Sequence, residues 1–169
     1  MDVVNYPQKR YRMIRFYHEI RKQMALNSIP SKIRLRYGFI VTYADQRVFP
    51  TEEGLFSEPE DTDFDELQNS GLDIGTPLAI LHKSADGRWY YAIAPLCSGW
   101  VEVEKVALCR IEELKSMTNQ LSFVVITRPK AGVYLDSSLT QYYDYVRMGV
   151  SLPLCKSGSK VVQVAIPFR

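Results

Sequence analysis

The sequence is poor in the residues that bind metals and form disulfides. Three cysteines, Cys97, Cys109 and Cys155, are too few and too scattered for a disulfide framework or a C-x-x-C metal site. A glycine-rich phosphate loop is also missing, and no pair of carboxylates stands out as a glycosidase pair. We therefore expect free, mostly buried thiols, no metal and no cofactor.

Long hydrophobic runs are absent as well. The apolar runs extend over only a few residues, whereas a membrane-spanning helix needs about 20. The first residues, MDVVN, lack the basic and then apolar segments of an export signal. The sequence predicts neither membrane insertion nor a signal peptide.

The net charge of the chain is small, but its positive and negative residues are unevenly distributed along the sequence. The formal net charge is +2, yet basic residues crowd the first forty positions and acidic residues fill positions 52–73. A basic helix that binds nucleic acid would need exposed aromatic residues among its arginines. Because the acidic middle and the small net charge oppose it, we expect a solvated helix face and no nucleic-acid partner.

The strongest pattern present lies at residues 75–103. Apolar residues recur at every second position in two runs, at Leu78 and Ile80 and then at Trp89, Tyr91 and Ile93. Between the runs, Asp86-Gly87 tolerates the positive φ of a tight turn. A third alternating run begins at Trp100. Three short antiparallel strands in so few residues predict a small barrel or a sandwich.

The rest of the chain divides into one helix and further short strands. Helical spacing over residues 8–26 places five apolar residues on one face: Met13, Phe16, Tyr17, Ile20 and Met24. Residues 33–42 alternate as a first strand, and residues 51–76 form a long acidic connection that predicts a loop with a helical turn at 63–67. A polar linker at 116–120 marks a boundary. Beyond it, we expect a buried strand at 123–127 and strands at 133–135, 146–154 and 161–166.

Four segments resemble, in order, the tandem bacterial SH3 (SH3b-type) modules that accompany NlpC-type cell-wall cysteine peptidases. They are RVFPT at 47–51, FDELQ at 64–68, GTPLAILHKSADGRW at 75–89 followed by GWV at 99–101, and RMG at 147–149 followed by LPL at 152–154. The resemblance implies a mainly β fold of two small SH3-like barrels preceded by one amphipathic helix. We expect a helical segment at 1–30, a first barrel at 31–118 with its acidic loop at 51–76, and a second barrel at 119–169.

A catalytic cysteine is not expected in this chain. The segment LCSG at 96–99 is superficially similar to the D-C-S-G of the peptidases, but leucine replaces the aspartate. A reactive thiol needs a helix N-terminus and a histidine base. Cys97 instead lies in alternating β sequence, and both histidines, His18 and His82, precede it. Any catalytic domain is expected to follow residue 169.

The resemblance implies a non-catalytic accessory region of a γ-D-glutamyl-diamino-acid endopeptidase, located in the periplasm or outside the cell. Its expected partners are cell-wall stem peptides or a downstream NlpC-type peptidase domain. Aromatic residues with polar tips suit shallow grooves, and carboxylates suit a cationic group. The candidate binding residues are Trp89, Tyr91, Trp100, Asp63 and Asp65; the two tryptophans fit a barrel core equally well. The alternative is a free-standing SH3-like module that binds peptides or proteins.

Overall fold

The computed structural model describes residues 6–56 and 63–169, with side chains from residue 13 onward. The chain begins with helix α1 (Tyr6–Met24). Seven strands follow: β1 (Arg36–Ile40), β2 (Ala44–Arg47), β3 (Gln68–Leu72), β4 (Pro77–Lys83), β5 (Trp89–Ile93), β6 (Ser98–Glu102) and β7 (Val106–Cys109). Helix α2 (Ile111–Thr118) then leads to β8 (Phe123–Val125), β9 (Lys130–Tyr134), β10 (Tyr142–Arg147), β11 (Ser151–Lys156) and β12 (Gln163–Val164). The predicted mainly β fold with an N-terminal helix is confirmed.

Strands β1 to β7 form one antiparallel sheet in the order β3-β2-β6-β5-β4-β1-β7. Every strand contributes to the same apolar core: Ile40, Ala44, Leu72, Leu78, Ile80, Tyr90, Ala92, Val101 and Val106. The two edge strands supply Leu72 and Val106, so the sheet curls and brings both of its edges to this core. Curling buries the apolar face of a small sheet without a second layer.

The predicted hairpin is formed by β4 and β5, which pair with Lys83 opposite Tyr90. Gly87 lies in the turn with a φ of 74°, a conformation that glycine adopts without steric cost. Asp86 stabilises the turn because its Oδ1 accepts hydrogen bonds from the Ser84 hydroxyl at 2.5 Å and the Arg88 amide at 3.0 Å. Sequence alternation and turn chemistry thus agree on this unit.

The C-terminal half, residues 123–164, contains a β9–β10 pair and a three-stranded sheet in the order β12-β11-β8. These sheets share a smaller core of Val133, Val146 and Leu152, joined by Ile74 from the first half. The expected buried strand at 123–127 is wrong in its burial, since Phe123 is 57% and Val125 47% exposed. β8 is a three-residue edge strand with one partner, and both side chains lie on its open face.

Several boundaries differ from expectation. The first strand begins at Arg36, and Ile33 and Leu35 before it are exposed. Strand β3 lies inside the segment expected to be a long loop, while residues 57–62, with three of the acidic residues, lie outside the described part. All three cysteines are free, but Cys155 is exposed and the other two only half-buried. The expectation of mostly buried thiols is wrong, because these residues lie near strand ends.

Helix α1 packs through only part of its predicted apolar face. Ile20 is buried and Phe16 and Met24 are half-buried, whereas Met13 and Tyr17 are about half exposed. No helix in the described part of the chain is long and apolar enough to cross a bilayer.

Polar contacts tie the C-terminal half to the first sheet. Arg147 donates from Nη2 to Asp73 at 2.6 Å and to the Gly71 carbonyl at 2.7 Å, and from Nε to Asp73 at 2.9 Å. The Tyr43 amide donates to Asp144 at 2.9 Å. Bidentate arginine–carboxylate pairs fix geometry as well as adding energy. The predicted boundary at residue 118 stays a prediction; helix α2 occupies that position.

Candidate ligand-binding pocket

Both carboxylate oxygens of Asp65 accept hydrogen bonds from other parts of the chain. Its carboxylate accepts hydrogen bonds from the Leu55 and Leu67 amides, both at 2.9 Å, and from Arg47 Nη2 at 2.8 Å. Burial raises the pKa of Asp65, but the two amides and the Arg47 guanidinium outweigh it and hold that pKa below its ordinary value. Asp65 therefore clamps the loop that follows β2, and few of its lone pairs remain for a ligand.

The two tryptophans lie in the interior. Trp89 is 3% and Trp100 1% exposed. The Trp100 ring meets the rings of Tyr91 and His82 edge to face, at centroid distances of 5.4 and 6.0 Å. Of the two placements considered, a surface groove and the interior, both rings take the interior one: strands β5 and β6 are central in the sheet, and the rings are buried on the face opposite to Tyr90 and Val101 of the apolar core.

The remaining two candidates lie nearer the surface. Tyr91 is half-buried, and its hydroxyl lies 3.3 Å from the Ser98 hydroxyl. Asp63 is exposed at the edge of the described segment. The structure does not bring the five predicted residues into one site, and a binding role for them stays a prediction.

A pocket of about 280 Å³ opens beside Trp89 and Arg47. Its walls come from β2, β6 and the segments next to them: Tyr43, Ala44, Asp45, Arg47, Glu52, Trp89, Glu102 and Lys105. Gly99 makes this junction possible, since a Cβ there would lie 2.6 Å from the Arg47 carbonyl oxygen. The β2–β6 pairing thus brings the strand ends of the first sheet together around one concave surface.

Negative charge dominates this pocket. It holds three carboxylates, from Asp45, Glu52 and Glu102, and two cations, of which Arg47 is already paired with Asp65. Burial, and then the nearby charge of Glu104, raise the pKa of Glu102 above its ordinary value. Two carboxylates have partners of their own, since Glu52 pairs with exposed Arg88 and Asp45 accepts from Gln68 at 2.7 Å.

Two further polar groups line the same pocket. The Tyr43 hydroxyl donates to Asp45 at 3.0 Å, and burial, followed by the charge of Asp45, raises the pKa of Tyr43. The Arg47 Nε–H is buried and has no hydrogen-bond partner in the described part of the chain. The arrangement suits a ligand with a cationic group, because the excess carboxylate charge is only partly balanced.

Sequence reasoning found Trp89 of this pocket but missed Asp45 and Glu102. Asp45 lies in the four-residue strand β2, whose sequence ADQR has no apolar alternation. Glu102 ends β6, two residues after Trp100. Both residues could have been found as carboxylates at strand positions close to large aromatic residues, because half-buried acidic residues are uncommon in strands.

Cys97 contacts an amide and not an imidazole. Its thiol donates to Gln46 Oε1 at 2.7 Å, and the fully buried Gln46 donates in turn from Nε2 to the Ala92 carbonyl at 3.0 Å. His82 uses its Nε2 at the Met24 carbonyl, 2.9 Å away. The Gln46 side chain thus links Cys97 to β2 and to the backbone of β5, and neither histidine of the chain is a hydrogen-bond partner of the thiol in the described residues.

Comparison with known proteins bears on the fold that carries this pocket. Residues 54–102 match the family model described as SH3 domain (SH3b1 type). The resemblance to bacterial SH3 modules is confirmed. The SH3b1-type segment runs from the loop clamped by Asp65 to Glu102, and so includes β3 to β6. A domain of this type is non-catalytic.

A solved structure of an NlpC/P60 endopeptidase from Photobacterium damselae subsp. piscicida has the same fold, with a TM-score of 0.67. The two chains are 22% identical, and the match covers 89% of this chain but 36% of that one. The SH3b1-type segment therefore belongs to a larger shared arrangement that includes most of the present chain. Comparison with curated proteins gives no match.

Replacing Glu102 with glutamine is expected to raise the thermal midpoint at pH 7 by about 2 °C. Because the pKa of Glu102 is raised on folding, the ionised carboxylate opposes folding above that raised value. The penalty disappears as the pH falls below the ordinary value of 4.5. Thermal unfolding at pH 7 and near pH 4 checks this: the gain should vanish in acid, and Glu66→Gln at an exposed position should show no gain at either pH. A lower midpoint for Glu102→Gln at pH 7 would contradict the inference.

Proposed function

We propose that this chain is the non-catalytic SH3-type accessory part of a peptidoglycan peptidase and that it positions cell-wall stem peptides for a separate catalytic domain. The observation that carries the proposal is the SH3b1-type match inside a fold shared with an NlpC/P60 endopeptidase. The partner would be an NlpC-type peptidase domain of γ-D-glutamyl-diamino-acid specificity. Such a protein works in the periplasm or outside the cell, where its substrate lies.

The acidic pocket next to Trp89 is the part of the chain that would bind the peptide. Stem peptides released from the wall carry free amino groups, and the pocket offers Asp45 and Glu102 to such a cation. The unpaired Arg47 Nε–H and the Lys105 ammonium belong to residues of the same pocket and would donate hydrogen bonds to a carbonyl or carboxylate oxygen of the ligand. Opposite charges at fixed positions orient a peptide as well as attracting it.

The test is calorimetric titration with a γ-D-glutamyl-diaminopimelate peptide whose amino groups are all free, compared with the form in which all of them are acetylated. Acetylation removes the positive charge and should weaken binding by about tenfold. Glu102→Gln should weaken binding of the free amine and leave the weak binding of the acetylated peptide unchanged, whereas Glu66→Gln should alter neither. Equal affinity for the two peptides would remove the acidic pocket from the proposal.

Hydrolysis is tested separately. The chain alone should leave the γ-D-glutamyl linkage intact over long incubation, because the Cys97 thiol faces an amide oxygen. Turnover that disappears in Cys97→Ser would overturn the non-catalytic role. The alternative, a free-standing module that binds peptides in an aromatic groove at Trp89 and Tyr91, has less support, since Trp89 is buried and Tyr91 is half-buried.

A further inference from the structure

A second concave surface carries charge of the opposite sign. A cavity of about 240 Å³ is formed by the segment before β1 and the end of β4, and its walls are Pro30, Ile33, Arg34, Arg36, Ile80, Leu81, His82 and Lys83. Three of these side chains are cationic and none is a carboxylate. The cavity shares no residue with the acidic pocket.

Two of the cations converge on one aromatic ring. The Arg36 guanidinium carbon lies 4.8 Å from the centroid of Tyr90, and Lys83 Nζ lies 5.8 Å from the same centroid. Tyr90 is buried, so its ring forms a fixed support beneath both charges. Each contact is favourable, but the neutral ring does not compensate the two positive charges.

No carboxylate in the described part of the chain forms an ion pair with Arg34, Arg36 or Lys83. The nearest acidic residue in sequence, Asp86, is engaged by its own turn through Ser84 and the Arg88 amide. The cavity therefore keeps its positive charge uncompensated. Clusters of this kind gain free energy when a multiply charged anion enters, since one ligand then satisfies several donors at once.

The carboxyl end of helix α1 is fastened next to this cavity. The Gln23 carbonyl accepts from the Ala85 amide, and the Met24 carbonyl from His82 Nε2, both at 2.9 Å. The last turn of the helix carries Arg21 and Lys22, which are exposed. The positive surface thus extends from the cavity onto a helix whose position is fixed by two hydrogen bonds.

We propose that this cavity binds a phosphate group. Guanidinium groups bind phosphate oxygens through paired N–H donors, and a lysine adds a point charge. Three uncompensated cations match the double charge of a phosphate better than the single charge of a carboxylate. This site goes beyond the proposed function, because it lies apart from the acidic pocket and takes a ligand of the opposite charge.

The experiment compares two double variants with equal loss of charge. Arg34→Gln/Lys83→Gln removes two exposed cavity cations and keeps Arg36, which packs over Tyr90. Arg128→Gln/Lys156→Gln removes two exposed cations from the C-terminal half. Amide resonances are followed by NMR as inorganic phosphate is added, and co-sedimentation with vesicles that contain phosphatidic acid, a phosphate monoester, is measured for each protein. Thermal unfolding confirms that both variants remain folded.

Phosphate should shift the amides of residues 33–36 and 80–83, and the cavity variant should bind it about tenfold more weakly than the control variant does. If the phosphate group is that of a lipid headgroup, the tenfold difference between the two variants should instead be found in co-sedimentation with vesicles. That result also supports phosphate recognition at the cavity. Equal loss of binding in both variants would indicate general charge attraction and would overturn the proposal, as would failure of the unaltered chain to bind either probe.

Discussion

Replacing Asp65 with alanine is expected to lower the free energy of unfolding by about 3–5 kcal/mol. The Arg47 side chain is only 8% exposed, so the variant would leave a buried cation without its partner. The Leu55 and Leu67 amides would lose their acceptor at the same time. Urea unfolding at pH 7 measures the change.

The control is Glu66→Ala, which removes the exposed neighbouring carboxylate and should cost less than about 0.5 kcal/mol. Because the pKa of Asp65 is lowered on folding, its contribution is present above the ordinary value of 3.8 and is lost as the pH falls through the lowered value. The difference from the unaltered chain should therefore persist from pH 7 to about pH 5. Equal costs for the two variants at pH 7 would show that the ion pair does not hold the loop.

Sequence reasoning identified Asp65 as a candidate binding residue, but it did not predict the ion pair with Arg47 or the hydrogen bonds from two backbone amides. The FDELQ segment marks it as part of a family pattern, whereas its ion pair joins residues 18 positions apart, across a loop whose path depends on the β2–β3 pairing. The pairing of β2 with β3 could not be predicted from the sequence either. Strand β3 has the sequence QNSGL, in which Leu72 alone adds a large apolar side chain to the core, because β3 is an edge strand that joins β2 mainly through backbone hydrogen bonds.

Strand β5 shows a different limit. Alternation predicted the hairpin correctly, since period-two patterns belong to strands, but it placed Trp89, Tyr91 and Ile93 on one equivalent face. In the structure Trp89 and Tyr90 are both buried, while Ile93 is 47% exposed. A central strand of a curled sheet is covered on both faces near its start and opens at its end. Periodicity reports which side chains share a face and not whether that face is covered.

Charge placement could be anticipated only in outline. The sequence separates a basic beginning from an acidic middle, but the structure builds its two charged cavities largely from other positions: of Asp45 and Glu102 in one and Arg34 and Lys83 in the other, only Arg34 lies in either segment. Three of these four residues lie outside the family-like segments, and Lys83 lies within the one at 75–89. Each reaches its cavity through strand pairing between segments that are distant in sequence, which composition does not encode.

Replacing Trp100 is the second change for which we expect a large effect, and the groove and core interpretations of this residue predict opposite results. Trp100→Ala should lower the free energy of unfolding by about 3–5 kcal/mol, since the ring is 1% exposed and its removal leaves a cavity between Tyr91 and His82. A residue of a surface groove would instead lose peptide binding at unchanged stability. Urea unfolding, with peptide titration under folding conditions, separates the two cases.

The matched control is Trp100→Phe, which keeps an aromatic ring in the same volume. The Trp100 Nε1–H is buried and has no hydrogen-bond partner in the described part of the chain, so phenylalanine removes a donor that is not used. Its cost should be about 1–2 kcal/mol, which reflects the smaller ring alone. A phenylalanine variant as unstable as the alanine variant would mean that the indole N–H, and not the packing of the ring, stabilises this part of the sheet.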